Sequence, residues 1–201
     1  MITVRRAMLG TTLMVVAALA LSGCRLIVKT VPLGDAGRPL GSPAASPTPA
    51  PSPSGKPTYG KVVMNCDLIL STAHAAELTP SLTPDPSYQP KAGSLGADMQ
   101  AKGAHVCGWA NKAKSASIEV ALALGSPAAI TLAEAAAAAS GVTAPPAGAQ
   151  AAYFTRVGKV GQAEIFLGSY WIETSSTSFD TAVTASDFYS VMLQDLRSAG
   201  G

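Results

Sequence analysis

SIEVALALG, from Ser117 to Gly125, is the stretch that decides the fold. Its large apolar residues recur at every second position, and Glu119 and two alanines fill the positions between them. This alternation predicts a half-buried β-strand. The segment His105–Trp109 comes before it, and the polar residues Asn111–Ser115 between the two allow them to pair as an antiparallel hairpin.

A second hairpin is predicted downstream. Tyr153–Val157 and Ala163–Ser169 flank the sequence GKVG, whose glycines permit the positive φ that tight turns require. The residues that follow, Tyr170–Thr174, either extend the later strand or begin another one.

Boundary residues predict three helices. The first covers about Ser71–Leu78, because Ser71 is a good N-cap and Pro80 follows its end. The second follows Ser126–Pro127, an N-cap and then a proline at the first helical position. It continues through an alanine run to Ser140, and alanine is the best helix former.

The third predicted helix covers about Ala185–Ser198. Thr184 and Asp187 before and within its first turn resemble a capping box. Phe188 and Leu196 belong to a set of apolar residues that fall on one face.

Strand hairpins with helices between them predict an α+β fold, an antiparallel β-sheet of hairpins with about three helices packed on one face. Residues 58–201 are predicted to form this single extracytoplasmic domain. The segment Pro80–Gly103 contains three more prolines and is predicted to be a long loop, either a recognition loop or a surface excursion.

The N-terminus has the three parts of a secretory signal peptide. Arg5 and Arg6 precede an apolar run from Leu9 to Leu21, which is shorter than the roughly 20 residues of a membrane span. The run ends in LSGC, which resembles a bacterial lipobox. The resemblance implies a signal peptide at 1–23 and a diacylglycerol on the thiol of Cys24. We therefore expect a lipid anchor that holds the protein outside the cytoplasmic membrane.

Residues 24–57 are predicted to be a disordered tether that begins at Cys24. The part from Val31 to Pro57 holds eight of the 15 prolines of the chain and no aromatic residue, so it has too little apolar surface to fold. From Thr58 onward eight Lys or Arg face eleven Asp or Glu. No basic patch with interleaved aromatic residues is present, which argues against nucleic acid as a partner.

Two cysteines remain once Cys24 is assigned to the lipid, and an even pair in an exported protein favours a disulfide between Cys66 and Cys107. Such a bond ties the segment that leads into the first predicted helix to the first hairpin, across the proline-rich segment. The alternative is a zinc site in which His74 and His105 join the two thiols, although the spacing is unlike that of structural zinc sites. We predict no metal and no cofactor.

No catalytic motif is found in the sequence. G-x-S-x-G, H-E-x-x-H and a phosphate-binding glycine loop are absent, and Ser169 in LGSYW lacks a histidine downstream. The carboxylates are scattered, so spacing identifies no acid and base pair. Trp109 and Trp171 are more typical of a core than of a ligand platform. We therefore predict that the protein is not an enzyme.

Two segments of the sequence begin with a cysteine: CDLILSTAHAAEL begins at Cys66, and CGWANKAKSASIEVAL begins at Cys107 and includes Trp109. Together they resemble a family of actinobacterial lipoproteins with an uncharacterised extracytoplasmic domain. The resemblance implies a cysteine at a helix start, a Cys-x-Trp that opens a hairpin, and a C-terminal pair of strands with a helix. We expect a lipid-anchored binding or accessory module, whose partner is an envelope protein or a small ligand. Capture of a metal or small ligand is the alternative.

Overall fold

A computed structural model describes residues 55–79, 81–111 and 116–200. The predicted signal peptide, Cys24 and the tether as far as residue 54 lie outside the described residues. So do Pro80 and most of the predicted turn of the first hairpin, residues 112–115.

The described residues contain eight strands and five helices. In chain order they are β1 (Tyr59–Gly60), α1 (Cys66–Ile69), α2 (Thr72–Leu78), β2 (Leu82–Pro84), α3 (Leu95–Ala101), β3 (His105–Asn111), β4 (Ala116–Gly125), α4 (Pro127–Ser140), β5 (Val142–Thr143), β6 (Ala151–Val157), β7 (Val160–Leu167), β8 (Tyr170–Ser176) and α5 (Ala182–Gly200). The α+β class with an antiparallel sheet is confirmed.

The strands form one antiparallel sheet in the order β2-β3-β4-β8-β7-β6-β5. Strand β1 pairs with the end of β4, where Tyr59 lies opposite Gly125. Strand β4 is central, between β3 and β8. The residues from Tyr170 onward therefore form a separate strand, which joins the second hairpin to the first.

Helices cover both faces of this sheet, whereas the sequence predicts helices on one face. Helices α1, α2 and α5 pack on the first face, against strand residues such as Val120 and Ile172. Helices α3 and α4 pack on the second face, against residues such as Ala121 and Phe166. The predicted helices α2 and α5 thus share a face, and the predicted helix α4 lies opposite them.

Coverage of both faces corrects the prediction of a half-buried β4. Val120 and Leu122 are buried on the first face, and Glu119, Ala121 and Ala123 are buried on the second. The sequence predicts that the alternation separates buried apolar positions from exposed positions. In the structure it separates large side chains, which meet α1 and α5, from small ones, which allow α3 and α4 to approach closely.

The segment Pro80–Gly103 is not a long loop. It contains β2, which adds an edge strand beside β3, and α3, which lies against β4. Ser94 caps α3 by accepting a hydrogen bond from the backbone N–H of Ala97. The helix has only seven residues and follows a proline-rich stretch, so its periodicity is too short to stand out.

Predicted helix starts agree with the structure for α2 and α4, where Ser71 and Ser126 accept the capping hydrogen bonds. The start of α5 differs, since the helix begins three residues earlier than predicted. The hydroxyl of Thr181 accepts a hydrogen bond from the backbone N–H of Thr184, and the carbonyl of Thr181 accepts one from the backbone N–H of Ala185. Thr181 therefore has the role that the sequence suggested for Thr184.

Candidate functional site

Cys66 and Cys107 form a disulfide bond, with Cα atoms 5.7 Å apart. The pairing is the one that the sequence predicts, and the bond joins β3 to the first residue of α1, a helix that the sequence does not predict, across 41 residues. In the loop-entropy relation a closed loop of this length stabilises the fold by about 4 kcal/mol. Its role is to hold α1 on the first face of the sheet.

The four residues of the alternative zinc site do not come together. Nε2 of His105 lies 3.7 Å from Sγ of Cys66, and His105, Cys66 and Cys107 form a close group. His74 instead places Nδ1 2.8 Å from Oδ1 of Asp195 on α5. Both sulfurs are joined to each other, so neither is a thiolate ligand for zinc.

An apolar groove opens on the first face of the sheet, between α1, the last turn of α5 and the ends of β4, β7 and β8. Its cavity volume is about 630 Å³, which is within the range of small-molecule sites. The residues that line it are mainly apolar: Met64, Leu68, Leu122, Leu124, Leu167, Tyr170, Ile172, Leu196 and Arg197, with the turn residues Gly168 and Ser169.

Three large side chains of the apolar groove are open to solvent. Leu68 is 47% exposed, Leu124 37% and Tyr170 38%. Apolar surface collected in one concave place is typical of a binding site, whereas isolated exposed leucines are common. The sequence contains these residues in three separate segments, and only the pairing of β4 with β8 brings Leu124 opposite Tyr170.

Arg197 supplies the positive charge at the apolar groove. Its guanidinium donates to the backbone carbonyl of Ala147 at 3.4 Å, and the side chain is otherwise exposed. A guanidinium has five donors in a fixed plane, so one hydrogen bond leaves most of them available to a carboxylate or phosphate. Ser169 also lines the groove, in an exposed turn rather than in a nucleophile motif.

Three carboxyl groups are buried together on the second face of the sheet. Glu119, Glu164 and Glu173 are 4%, 9% and 1% exposed. Glu173 lies directly opposite Glu164 in the pairing of β7 with β8, and Glu119 lies opposite the residue two places further along β8. We call these three residues the carboxyl cluster.

Each member of the carboxyl cluster has a raised pKa, and burial is the main cause. The charge of Glu119 raises the pKa of Glu173 further. The hydroxyl of Tyr88 donates to Oε2 of Glu119 at 2.7 Å, and Nε1 of Trp171 donates to Oε2 of Glu164 at 3.0 Å. These two hydrogen bonds favour the ionised form of their acceptors.

The interaction between the Glu119 and Glu173 side chains lowers the pKa of Glu119 and raises that of Glu173. Oε1 of Glu119 and Oε2 of Glu173 are buried, and no donor among the described residues reaches either of them. A proton kept by Glu173 satisfies this pair, because a protonated carboxyl is a donor and a carboxylate is an acceptor. Of the two groups, Glu173 is therefore the one whose protonated form burial and the charge of Glu119 favour more.

Sequence reasoning missed the carboxyl cluster because it treated the carboxylates as scattered. Each glutamate lies in a strand among apolar residues, as in SIEVAL, QAEIF and WIETS. A charged residue inside an apolar strand was the available signal. Its meaning depends on the strand order and the register, which place β4, β8 and β7 side by side.

The chain has no match among known proteins in any of three comparisons: no family model, no curated protein and no solved structure is similar to it at a significant level. Within the described part of the chain, no helix combines the length and the hydropathy that a membrane span requires.

Proposed function

We propose that this protein is a lipid-anchored, non-catalytic binding module of the bacterial cell envelope, and that its apolar groove binds the acyl chain of an anionic amphiphile. The observation that carries the proposal is the apolar groove itself, a cavity of about 630 Å³ with leucine walls and an arginine at its edge.

The apolar lining supports an acyl chain as the part of the ligand that is bound inside. Leu68, Leu124 and Tyr170 lose their remaining contact with water when an apolar chain covers them. Burial of apolar surface contributes about 25 cal/mol per Å². The cavity walls come from two helices and three strands, so the site is largely formed before the ligand arrives.

Arg197 supports an anionic headgroup. Its guanidinium matches a carboxylate or a phosphate ester in a planar, two-donor arrangement. Among the described residues that line the apolar groove, Arg197 is the only one with a charged side chain. The ligand class that fits is therefore a fatty acid or a single-chain phospholipid.

The lipobox supports the location. A diacylglycerol on Cys24 keeps the domain beside a membrane, where single-chain amphiphiles are concentrated.

Palmitate binding to the purified domain tests the proposal. Leu68→Gln is expected to weaken the affinity for palmitate about tenfold, because it removes apolar contact with the acyl chain. Arg197→Gln is expected to weaken it by a similar factor, because it removes the contact with the headgroup. Val183→Gln is the matched control, because Val183 is an apolar residue of α5 that is 59% exposed and outside the groove. Equal affinities in all variants would contradict the proposal.

A further inference from the structure

A second groove lies on the other face of the sheet, between α3 and α4, and has a cavity volume of about 540 Å³. We call it the aromatic groove. Tyr59, Trp171 and Glu164 line one part of it, and Ala133 and Ala137 of α4 form a wall. The small alanine side chains of α4 leave this space open, since larger residues at these positions would fill it.

Two rings of the aromatic groove lie close to the ammonium group of a lysine of the protein itself. The centroids of the Tyr59 and Trp171 rings are 6.1 Å apart. Nζ of Lys102 lies 5.3 Å from the Trp171 centroid and 5.8 Å from the Tyr59 centroid. An ammonium group within about 6 Å of an aromatic face is attracted by the ring quadrupole.

A buried carboxyl group lies beside these rings. Glu164 is 9% exposed, and its Oε2 accepts the indole N–H of Trp171 at 3.0 Å. This hydrogen bond fixes the carboxyl group at the edge of the Trp171 ring. Lys102 also acts on Glu164 through space, since its charge lowers the pKa of the carboxyl group against the larger effect of burial.

Lys102 is replaceable in this arrangement. Its residue is exposed at the end of α3, and it forms no ion pair within 4.0 Å among the described residues. A long side chain of this kind loses conformational freedom when its end is held. An external ammonium ion of similar size can take its place over the rings while the lysine turns to solvent.

We propose that the aromatic groove binds a small organic ammonium group, which replaces Nζ of Lys102 between Tyr59, Trp171 and Glu164. Two aromatic faces with a carboxyl group are the arrangement that recognises quaternary ammonium ions. The site is on the face of the sheet opposite to the apolar groove and does not depend on the function proposed above.

Calorimetric titration with choline tests this proposal. Lys102→Met removes the internal competitor and is expected to tighten choline binding about tenfold. Glu164→Gln keeps an acceptor for the Trp171 indole but removes the negative charge, and is expected to weaken binding about tenfold. Lys91→Met is the control for loss of a positive charge, because Lys91 is exposed and outside the groove.

Opposite changes in the two variants separate recognition from a folding defect, which would weaken binding in both. Leu68→Gln in the apolar groove should leave choline binding unchanged. A second titration with phosphatidylcholine vesicles identifies the source of the ammonium group: a response to vesicles and not to choline, with the same dependence on Lys102 and Glu164, assigns the site to a lipid headgroup. No response to either probe, or equal responses from wild type, Lys102→Met and Glu164→Gln, would overturn the proposal.

Discussion

At the scale of single residues, the carboxyl cluster is the feature that departs most from an ordinary core. Glu119 and Glu173 are buried between apolar strands, and helix α3 approaches them through Gly96, where a Cβ atom would collide with the carboxyl group of Glu119. Tyr88 lies over Gly108 in the same way and donates to Glu119. The two glycines thus make room for a polar network under the second face.

The raised pKa of Glu173 predicts that the protein is more stable in acid than at neutral pH. The pKa of Glu173 in the folded state is well above the ordinary value of 4.5. As pH rises above that value, the unfolded chain releases the proton of this carboxyl group while the folded protein still holds it. The free energy of unfolding then falls with pH until the folded carboxyl group ionises. Tyr88, Glu119, Glu164 and Ser175 are the groups that set this balance.

Glu173→Gln is expected to remove the contribution of Glu173 to this dependence. At about pH 8 the free energy of unfolding of the variant should be about 1 to 3 kcal/mol higher than that of wild type. At about pH 4 the two free energies should be equal. Urea unfolding at both pH values measures the difference. Glu77→Gln, at an exposed position on α2, is the control and should change neither value. A variant that is destabilised at about pH 8 would contradict the cost assigned to ionising Glu173 in the folded state.

At the scale of elements, one contact between α2 and α5 organises the first face. Oδ2 of Asp195 accepts the backbone N–H of Ser71 at 2.8 Å, and Oδ1 contacts Nδ1 of His74 at the same distance. Ser71 is also the N-cap of α2, so Asp195 ties the start of one helix to the last third of another.

Asp195→Ala is expected to destabilise the protein by about 1 to 3 kcal/mol, because it leaves the N–H of Ser71 without its acceptor. Asp195→Asn keeps one oxygen acceptor and should cost less. Asp187→Ala, at an exposed position of the same helix, is the control for helix charge. Thermal unfolding monitored by circular dichroism ranks the three variants. The prediction is wrong if Asp187→Ala costs as much as Asp195→Ala.

The elements that could be predicted are those with a local signal. The alternation in β4, the serine caps of α2 and α4, and the glycine at position 158, with a φ of +64°, each act within a few residues. Helix α3 and strand β2 were not predicted, because their stability comes from contact with β4 and β3, which are distant in the sequence. The placement of α4 on the opposite face is likewise a property of the sheet connections.

The sites also differ in whether a local signal in the sequence predicts them. The disulfide between Cys66 and Cys107 was predictable by elimination, since two cysteines leave one pairing. The apolar groove, the aromatic groove and the carboxyl cluster each combine residues from at least three elements. No spacing along the chain records that Trp171 and Glu164 are neighbours. That contact depends on the register of β7 with β8.

At the scale of the whole molecule, we propose that a membrane anchor is joined to a binding domain. LSGC predicts that Cys24 carries a diacylglycerol after cleavage. Mass spectrometry of the mature protein should therefore find an acylated cysteine as the first residue, and Cys24→Ser should release the protein from the membrane fraction. Cys66→Ser with Cys107→Ser is the control for loss of cysteine and should stay in that fraction. An unmodified N-terminus at another residue would contradict the anchor.

The central claim is that the apolar groove holds the acyl chain of an anionic amphiphile, and backbone amide chemical shifts of the domain titrated with palmitate test it most directly. We expect saturable shift changes concentrated at Leu68, Leu124, Gly168–Tyr170 and Arg197, with the strands around Trp109 unaffected. Shift changes that do not saturate, or that are concentrated away from these residues, would contradict it.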